Sequence, residues 1–200
     1  MARLLYQGHG SFRIVSSIGT VIYVDPYLGD GYDKKADLVL VTHEHHDHSK
    51  LSLLTLNKGA EIFRGPEMTD GVRYSSAEYK DVKVRAVPAY NSNHPRSECA
   101  GFIILVDGVK IYAAGDTSQT NFMSSLASEK LDYALLPTDG IYNMDAEEAS
   151  CCADIIDAGR TVPIHTRPET LFDASVAEAF HCRGKLTLHP GEEIDLKPIV

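Results

Sequence analysis

Thr42-His43-Glu44-His45-His46-Asp47-His48-Ser49 follows directly on the apolar run Leu38-Val39-Leu40-Val41. The run reads as a buried strand, and the cluster as the loop that leaves its end. In extended chain, alternate side chains share a side. His43, His45 and Asp47 can then face one way while Glu44 and His46 face the other. A turn into a helix would swing His48 back toward the same point. Neutral imidazoles and a carboxylate suit zinc, and also manganese, iron or nickel. A solvated His-rich loop is the bland alternative, and it does not explain why the ligand types fall on one side of a strand end.

Working outward, the flanks alternate as strands. Residues 2–6, Phe12 to Val15 and Val21 to Val24 read as strands around turns at Gly8-His9-Gly10 and Ser17 to Thr20. Ser49 to Asn57 reads as a short helix, Ala60 to Arg64 as a strand, and Gly65-Pro66-Glu67 as a breaker. Val82 to Val87 alternates as a half-buried strand. Asp107-Gly108 marks a hairpin between Gly101 to Val106 and Val109 to Ala114. Thr120 to Ala127 reads as helical and Leu131 to Pro137 as an apolar strand. Asp145 to Ala158 reads as an amphipathic helix capped by Asn143 or Asp145. Thr161 to Ile164 is a short strand and Ala174 to Arg183 a helix. Lys185 to Leu188 and Glu193 to Leu196 are closing strands.

A weak internal repeat runs through this order. SFRIVSSIGTVIYVDPYL, from Ser11, resembles GFIILVDGVKIYAAGDTS, from Gly101. Each hairpin ends in an aspartate, Asp25 or Asp116. ADLVLVTHEHHDH is then echoed by LDYALLPTDGIYN. Two similar sheets packed face to face would bring Asp116 and the loop after Pro137 to the rim that carries the histidine cluster.

The composition narrows the classes. Two hundred residues with 44% apolar content suit one domain spanning 1–200. No apolar run reaches membrane-spanning length. The first residues carry too short an apolar stretch for a signal peptide, so the cytoplasm is the expected compartment. A formal net charge of −9 argues against nucleic acid and anionic membranes as partners. It leaves a small-molecule substrate, which can be anionic because bound metal reverses the local field. A homo-oligomer is compatible with all of this. Cys99, Cys151, Cys152 and Cys182 form no C-x-x-C pair and read as free thiols.

One loop rarely closes a metal site, so other strand ends become candidates: His94 between two strands, Asp116 in Ala-Gly-Asp-Thr, and His165 in Pro-Ile-His-Thr. With these in place, the chain resembles the metallo-β-lactamase superfamily. It is most similar to the small metal-dependent hydrolase branch that holds L-ascorbate-6-phosphate lactonase and the N-acylphosphatidylethanolamine phospholipase D type. The resemblance rests on Gly8-His9-Gly10-Ser11-Phe12, Asp25-Pro26, THEHHDHS, Asn93-His94-Pro95, Gly115-Asp116-Thr117, Tyr142-Asn143-Met144-Asp145 and Pro163-Ile164-His165, in the family order.

The resemblance implies an α/β (α+β) fold, a four-layer αββα sandwich of two mixed sheets with helices outside. It implies two divalent metal ions, zinc first, with manganese, nickel or iron as alternatives. His43, His45 and His94 would hold one metal and Asp47, His48 and His165 the other, with Asp116 bridging. The implied activity is hydrolysis of an ester, lactone or phosphodiester by a metal-bridging hydroxide, with Asp47 and Asp116 as the catalytic carboxylates. Asp25 would orient a ligand histidine, and His9 would border the site. Arg96, Asp139 and Arg167 stand where the chain departs from its relatives, so they are candidates for shaping the substrate pocket. A mono-iron oxidoreductase on the same fold and a non-catalytic metal-binding protein are the alternatives. Oxygen-handling diiron relatives carry glutamate at the second motif histidine, and His45 argues against them.

Overall fold

The computed structural model describes residues 1–199. The chain opens with β1 (Arg3–Gly8), β2 (Ser11–Val15), β3 (Val21–Val24), β4 (Ala36–Val41) and β5 (Leu56–Arg64). A single turn, α1 (Gly65–Met68), leads to β6 (Ser76–Tyr79), β7 (Val82–Pro88), β8 (Ala100–Val106) and β9 (Val109–Ala113). The rest is α2 (Met123–Leu126), β10 (Tyr133–Pro137), α3 (Ala146–Ile156), β11 (Arg160–Ile164), α4 (Ala174–Ala179) and β12 (Glu193–Asp195). The strands form two six-stranded sheets, ordered β12-β1-β2-β3-β4-β5 and β11-β10-β9-β8-β7-β6.

The repeat read from the sequence is a repeat of pairing. β2 and β3 are antiparallel, and β3-β4-β5 are parallel. β8 and β9 are antiparallel, and β9-β10-β11 are parallel. Both sheets are therefore mixed, and each sends three parallel strands toward one rim.

Strand alternation decides the layers. Leu38 and Leu40 point between the sheets, where they meet Phe102, Ile104, Ile111 and Leu135. Val39 and Val41 point the other way. Ala134 and Leu136 likewise leave the inner face and pack under Met123, Leu126, Cys152 and Ile156 of α2 and α3. Both faces of β4 and β10 are covered, which is why both read as continuous apolar runs. Each fully buried Leu, Ile or Phe contributes about 1.5–3 kcal/mol.

The order of layers is αββα, with unequal outer layers. α2 and α3 cover the second sheet, with α4 packed on α3. The outer face of the first is covered by Tyr32 in a loop and by Leu51 and Leu54 around a 3-10 turn at Leu51–Leu53. This turn replaces the helix expected over Ser49 to Asn57. Its leucines are needed on Val39 and Val41, and the chain must straighten to pair with β4, beginning where Ala36 N donates to Thr55 O (2.8 Å).

Other boundaries moved for similar reasons. Gly65-Pro66-Glu67 starts α1 instead of breaking the chain, since proline is tolerated in a first turn. α4 ends at Ala179 because Phe180 turns extended and buries its ring completely. Lys185 to Leu188 makes only a single bridge, to Thr161. β6, unread in the sequence, is a half-buried edge strand on β7. α3 starts where Asp145 accepts a hydrogen bond from Glu148 N, and it ends on Asp157 in the left-handed region. Among the described residues no helix is long and apolar enough to cross a membrane.

Candidate metal centre

The parallel strands of both sheets end on the same rim, and all but β5 deliver a polar side chain there. Asp25 follows β3, Thr42 and His43 follow β4, Asp116 follows β9, Asp139 follows β10, and His165 follows β11. Gly115 lets the second sheet's loop approach the first. Its φ is +65°, and a Cβ there would lie 2.9 Å from Thr42 Cβ. On the other side of the rim, a Cβ on Gly10 would stand 3.1 Å from His48 Cε1. His9, Asp25 and His165 themselves have φ of +54°, +44° and +46°. Such backbone is uncommon outside glycine and accumulates at functional sites.

Asp116 lies at the middle. His48 Nε2 is 3.2 Å from its Oδ1. His94 Nε2 is 3.3 Å and His165 Nε2 3.6 Å from its Oδ2. The His43 ring packs 4.9 Å from His94 and 4.2 Å from His48, centroid to centroid. Potential ligand atoms fall within 4.8 Å of one another in three overlapping groups: His43, His45 and His94; His43, His48 and Asp116; and His9, Asp47, His48 and His165.

Behind the inward nitrogens stands a row of oxygens. His48 Nδ1 is 2.9 Å from Asp25 Oδ2, and His94 Nδ1 is 2.9 Å from Asn91 Oδ1. His43 Nδ1 is 3.1 Å from Thr42 Oγ1, which donates to Asp25 Oδ2 (2.7 Å). His165 Nδ1 is 3.1 Å from Asp139 Oδ2, close enough for an ion pair but off the hydrogen-bond angle. Asp25 also takes the Thr42 backbone N–H (2.7 Å). Ligand histidines commonly donate the far N–H to such a partner, which leaves Nε2 as a lone pair.

The residues fit a metal by what they lack. His43 Nε2, His48 Nε2, His165 Nε2 and Asp116 Oδ1 are buried with no hydrogen-bond partner. An unmatched buried polar atom costs about 1–3 kcal/mol, and four around one point form a donor set that a bound metal would match. Electrostatics agree. Burial and neighbouring imidazoles hold His43 well below the usual histidine range. Burial opposes charge on His165, but Asp116 and Asp139 outweigh it and raise its pKa to about 9. Burial also works against the Asp116 carboxylate, and His165 and His48 hold it well below its usual range. The site is rich in negative charge that only imidazolium or metal can balance.

Every residue read as a ligand from the sequence reaches this point, though not by simple alternation. The chain turns at His45, whose carbonyl accepts from His48 N (3.0 Å), so Asp47 arrives beside His9 and His165 instead of beside His45. Glu44 pairs with Arg64 away from the centre, and His46 sits against Tyr27 on the wall of the cleft above it, in none of the ligand groups. Asp139 accepts from the backbone N–H groups of Ile141 and Tyr142 (2.7 Å each) and so shapes the loop beside the centre. Arg96 is spent on the Tyr74 hydroxyl and the Tyr90 ring, and Arg167 on Asp173. Neither lines the cleft. Thr42, Asn91 and Thr170 were not singled out in the sequence; an acceptor near a strand-end histidine is the signal that would have found them.

A cleft of about 480 Å³ opens over the centre, with Asp47 and Asp116 on its floor and Ile141, Tyr142, Pro168 and Glu169 around it. Ile141 and Tyr142 are more than half exposed.

The β-lactamase superfamily domain family matches residues 3–165. A UPF0173 metal-dependent hydrolase of Pyrococcus abyssi is 32% identical, covering 98% of this chain and all of the relative. One from Thermococcus onnurineus is 30% identical over the same shares. Among solved structures, a metallo hydrolase from Ignicoccus hospitalis is 25% identical with a TM-score of 0.72, covering 98% of this chain and 99% of that one. The metallo-β-lactamase fold protein YhfI of Bacillus subtilis, at 13% identity, shares the fold with a TM-score of 0.72, covering 98% of this chain and all of its own. With its two mixed sheets and its His/Asp rim, the chain belongs to the UPF0173 metal-dependent hydrolases of the β-lactamase superfamily.

Proposed function

We propose that the rim holds two divalent cations, zinc first, and that the protein hydrolyses a neutral ester or lactone carrying an apolar group. His43, His45 and His94 would hold one metal, Asp47, His48 and His165 the other, and Asp116 would serve both. The observation that carries this reading is the set of buried, partnerless nitrogens and oxygens converging on Asp116. Bound in such a site, divalent cations lower the pKa of water and polarise a carbonyl.

The chain's own groups do the rest. Asp25, Thr42 and Asn91 keep the ligand rings in the metal-ready tautomer. Asp47 lines the cleft while remaining against the centre, which puts a carboxylate beside a substrate bound there. The substrate class follows from the walls. No lysine or arginine is among the described residues lining the cleft, whereas Ile141, Tyr142 and Pro168 offer apolar contact and Glu169 repels anions. An ester or lactone therefore fits better than a phosphodiester. Free thiols at Cys99, Cys151, Cys152 and Cys182 suit the reducing cytoplasm.

Elemental analysis of the natively purified protein, with a panel of aryl esters, lactones and phosphodiesters, tests the reading. Two equivalents of zinc, manganese or nickel and ester or lactone turnover lost in His45→Ala are expected. One iron with oxygen uptake would overturn the proposal, as would a metal-loaded protein inert across the panel.

A further inference from the structure

His9 is fully buried, and its backbone is fixed from three sides. Its N–H donates to Leu171 O (2.6 Å), and its carbonyl accepts from His165 N (2.8 Å) and from the Tyr6 hydroxyl (2.9 Å). The left-handed φ of +54° between two glycines turns the side chain inward. Its ring then lies 3.8 Å from that of His165, centroid to centroid.

The ring's two nitrogens face unlike surroundings with a common property. Nδ1 is 3.1 Å from Thr170 O, which can only accept. Nε2 is 3.3 Å from Asp47 Oδ2, a carboxylate oxygen that also only accepts when ionised. An imidazole with one N–H can serve one of them. With the proton on Nδ1, a lone pair on Nε2 confronts a carboxylate oxygen, with His165 Nε2 3.8 Å from the same oxygen. That lone pair and the carboxylate facing one another are repulsive until a cation sits between them.

His9 also repeats the arrangement seen at the other inward histidines. His43, His48, His94 and His165 each have an oxygen within 3.1 Å of Nδ1 and turn Nε2 to the centre. His9 does the same with the Thr170 carbonyl. Its ligand atom groups with those of Asp47, His48 and His165 within 4.8 Å.

We propose that His9 is itself a metal ligand, binding the second cation through Nε2 beside Asp47, His48 and His165. The proposal rests on the metal-centre reading above and adds a residue to it. It gives each cation three imidazole nitrogens, the second with the Asp47 carboxylate besides, and it ties that second shell to the first hairpin of the chain. The C-terminal segment shares the tie, because Thr170 sets the tautomer of His9.

The test uses the full chain with nitrogen-labelled histidine, loaded with spin-active cadmium in place of the native metal. A ligating nitrogen shows a one-bond splitting from the metal. His9 Nε2 is expected to be split, its resonance identified by its loss in His9→Asn. Asparagine is chosen because it tolerates positive φ. In that variant the cadmium equivalent that splits His48 and His165 should lose at least about tenfold in affinity, the lower bound for disturbing even an outer partner of a metal site. An unsplit His9 signal beside split signals from the other histidines would overturn this inference alone and leave His9 a hydrogen-bond partner of Asp47. No splitting at any histidine would remove the metal-centre reading as well. The wild-type spectrum decides the matter even if His9→Asn folds poorly.

Discussion

Asp25→Asn is the most informative single change, because one carboxylate stands behind a histidine of each metal group. Asp25 Oδ2 is 2.9 Å from His48 Nδ1 and takes the Thr42 hydroxyl at 2.7 Å; that hydroxyl in turn faces His43 Nδ1. Because the carboxylate only accepts, the proton runs one way along the relay: His43 Nδ1–H to Thr42, Thr42 to Asp25, His48 Nδ1–H to Asp25. Both Nε2 atoms are left as lone pairs. Asparagine keeps the shape, tolerates the φ of +44°, and can still accept from the Thr42 backbone N–H through its oxygen. Its amide donates where Oδ2 accepted. The Thr42 hydroxyl then turns to accept from it and donates to His43, which reverses that ring's tautomer. His48 loses its acceptor outright.

The lost charge-assisted bond costs about 1.5–3 kcal/mol. At about 2–4 °C per kcal/mol for a chain of this size, the metal-free protein should melt roughly 3–12 °C lower. Disturbing the partner of a ligand histidine typically weakens metal binding about 10–100-fold. Here both equivalents should weaken, since the proposed assignment puts His43 on one metal and His48 on the other. Chelator-competition titration of wild type and variant, with calorimetry of the metal-free forms, measures all three quantities. A variant that binds two equivalents with unchanged affinity would refute the relay. Loss confined to one equivalent would refute the claim that it serves both metals.

Asp116→Ala should abolish both equivalents in the same titration, while His94→Ala chiefly removes one; equal loss of both in His94→Ala would contradict the grouping. Burial pushes the Cys99 thiol up to about 12, so its thiolate fraction at neutral pH is on the order of 10⁻⁵. Alkylation followed by peptide mapping should label exposed Cys151 first and leave Cys99 unmodified until the protein unfolds. Its reactivity should rise only as pH climbs toward that value, and early labelling of Cys99 would refute the assignment. Tyr142→Ala and Ile141→Ser should raise KM for apolar esters severalfold with metal content and kcat little changed. Each removes about 1–2 kcal/mol of apolar contact from the cleft wall at most, because both side chains are only partly covered.

Much of the centre was legible because metal ligands are rare residue types placed at strand ends, and strand ends follow from apolar runs. Asp116 and His165 could be read from where β9 and β11 stop. The doubled hairpin even indicated which rim they would share. Grouping was harder. It depends on the turn at His45 that carries Asp47 across to His9, and a turn of that kind leaves no periodicity. The partners behind the rings were harder still, since Thr42, Asn91 and Thr170 are ordinary polar residues whose role comes from distance in space alone. The misread helix over Ser49 to Asn57 has a similar cause. Its local pattern of leucines fits a helix, but pairing with β4 and cover for Val39 and Val41 outweigh local preference. Arg96 and Arg167 stood out by their place next to His94 and His165 in sequence, yet long side chains follow the nearest partner, and both found one outside the cleft.

The backbone contact between His9 and His165 also orders events in time. Closing a loop of that length is entropically costly, though the cost grows only slowly with length, and it joins the turn after β1 to the end of β11. A chain emerging from the ribosome carries the THEHHDHS loop early, but the cage for the second cation is incomplete until residue 165 is free to fold back on residue 9. Until then the exposed histidines can bind a metal only loosely and exchange it. Final metal selection is thereby deferred to the finished fold, where geometry sorts one ion from another.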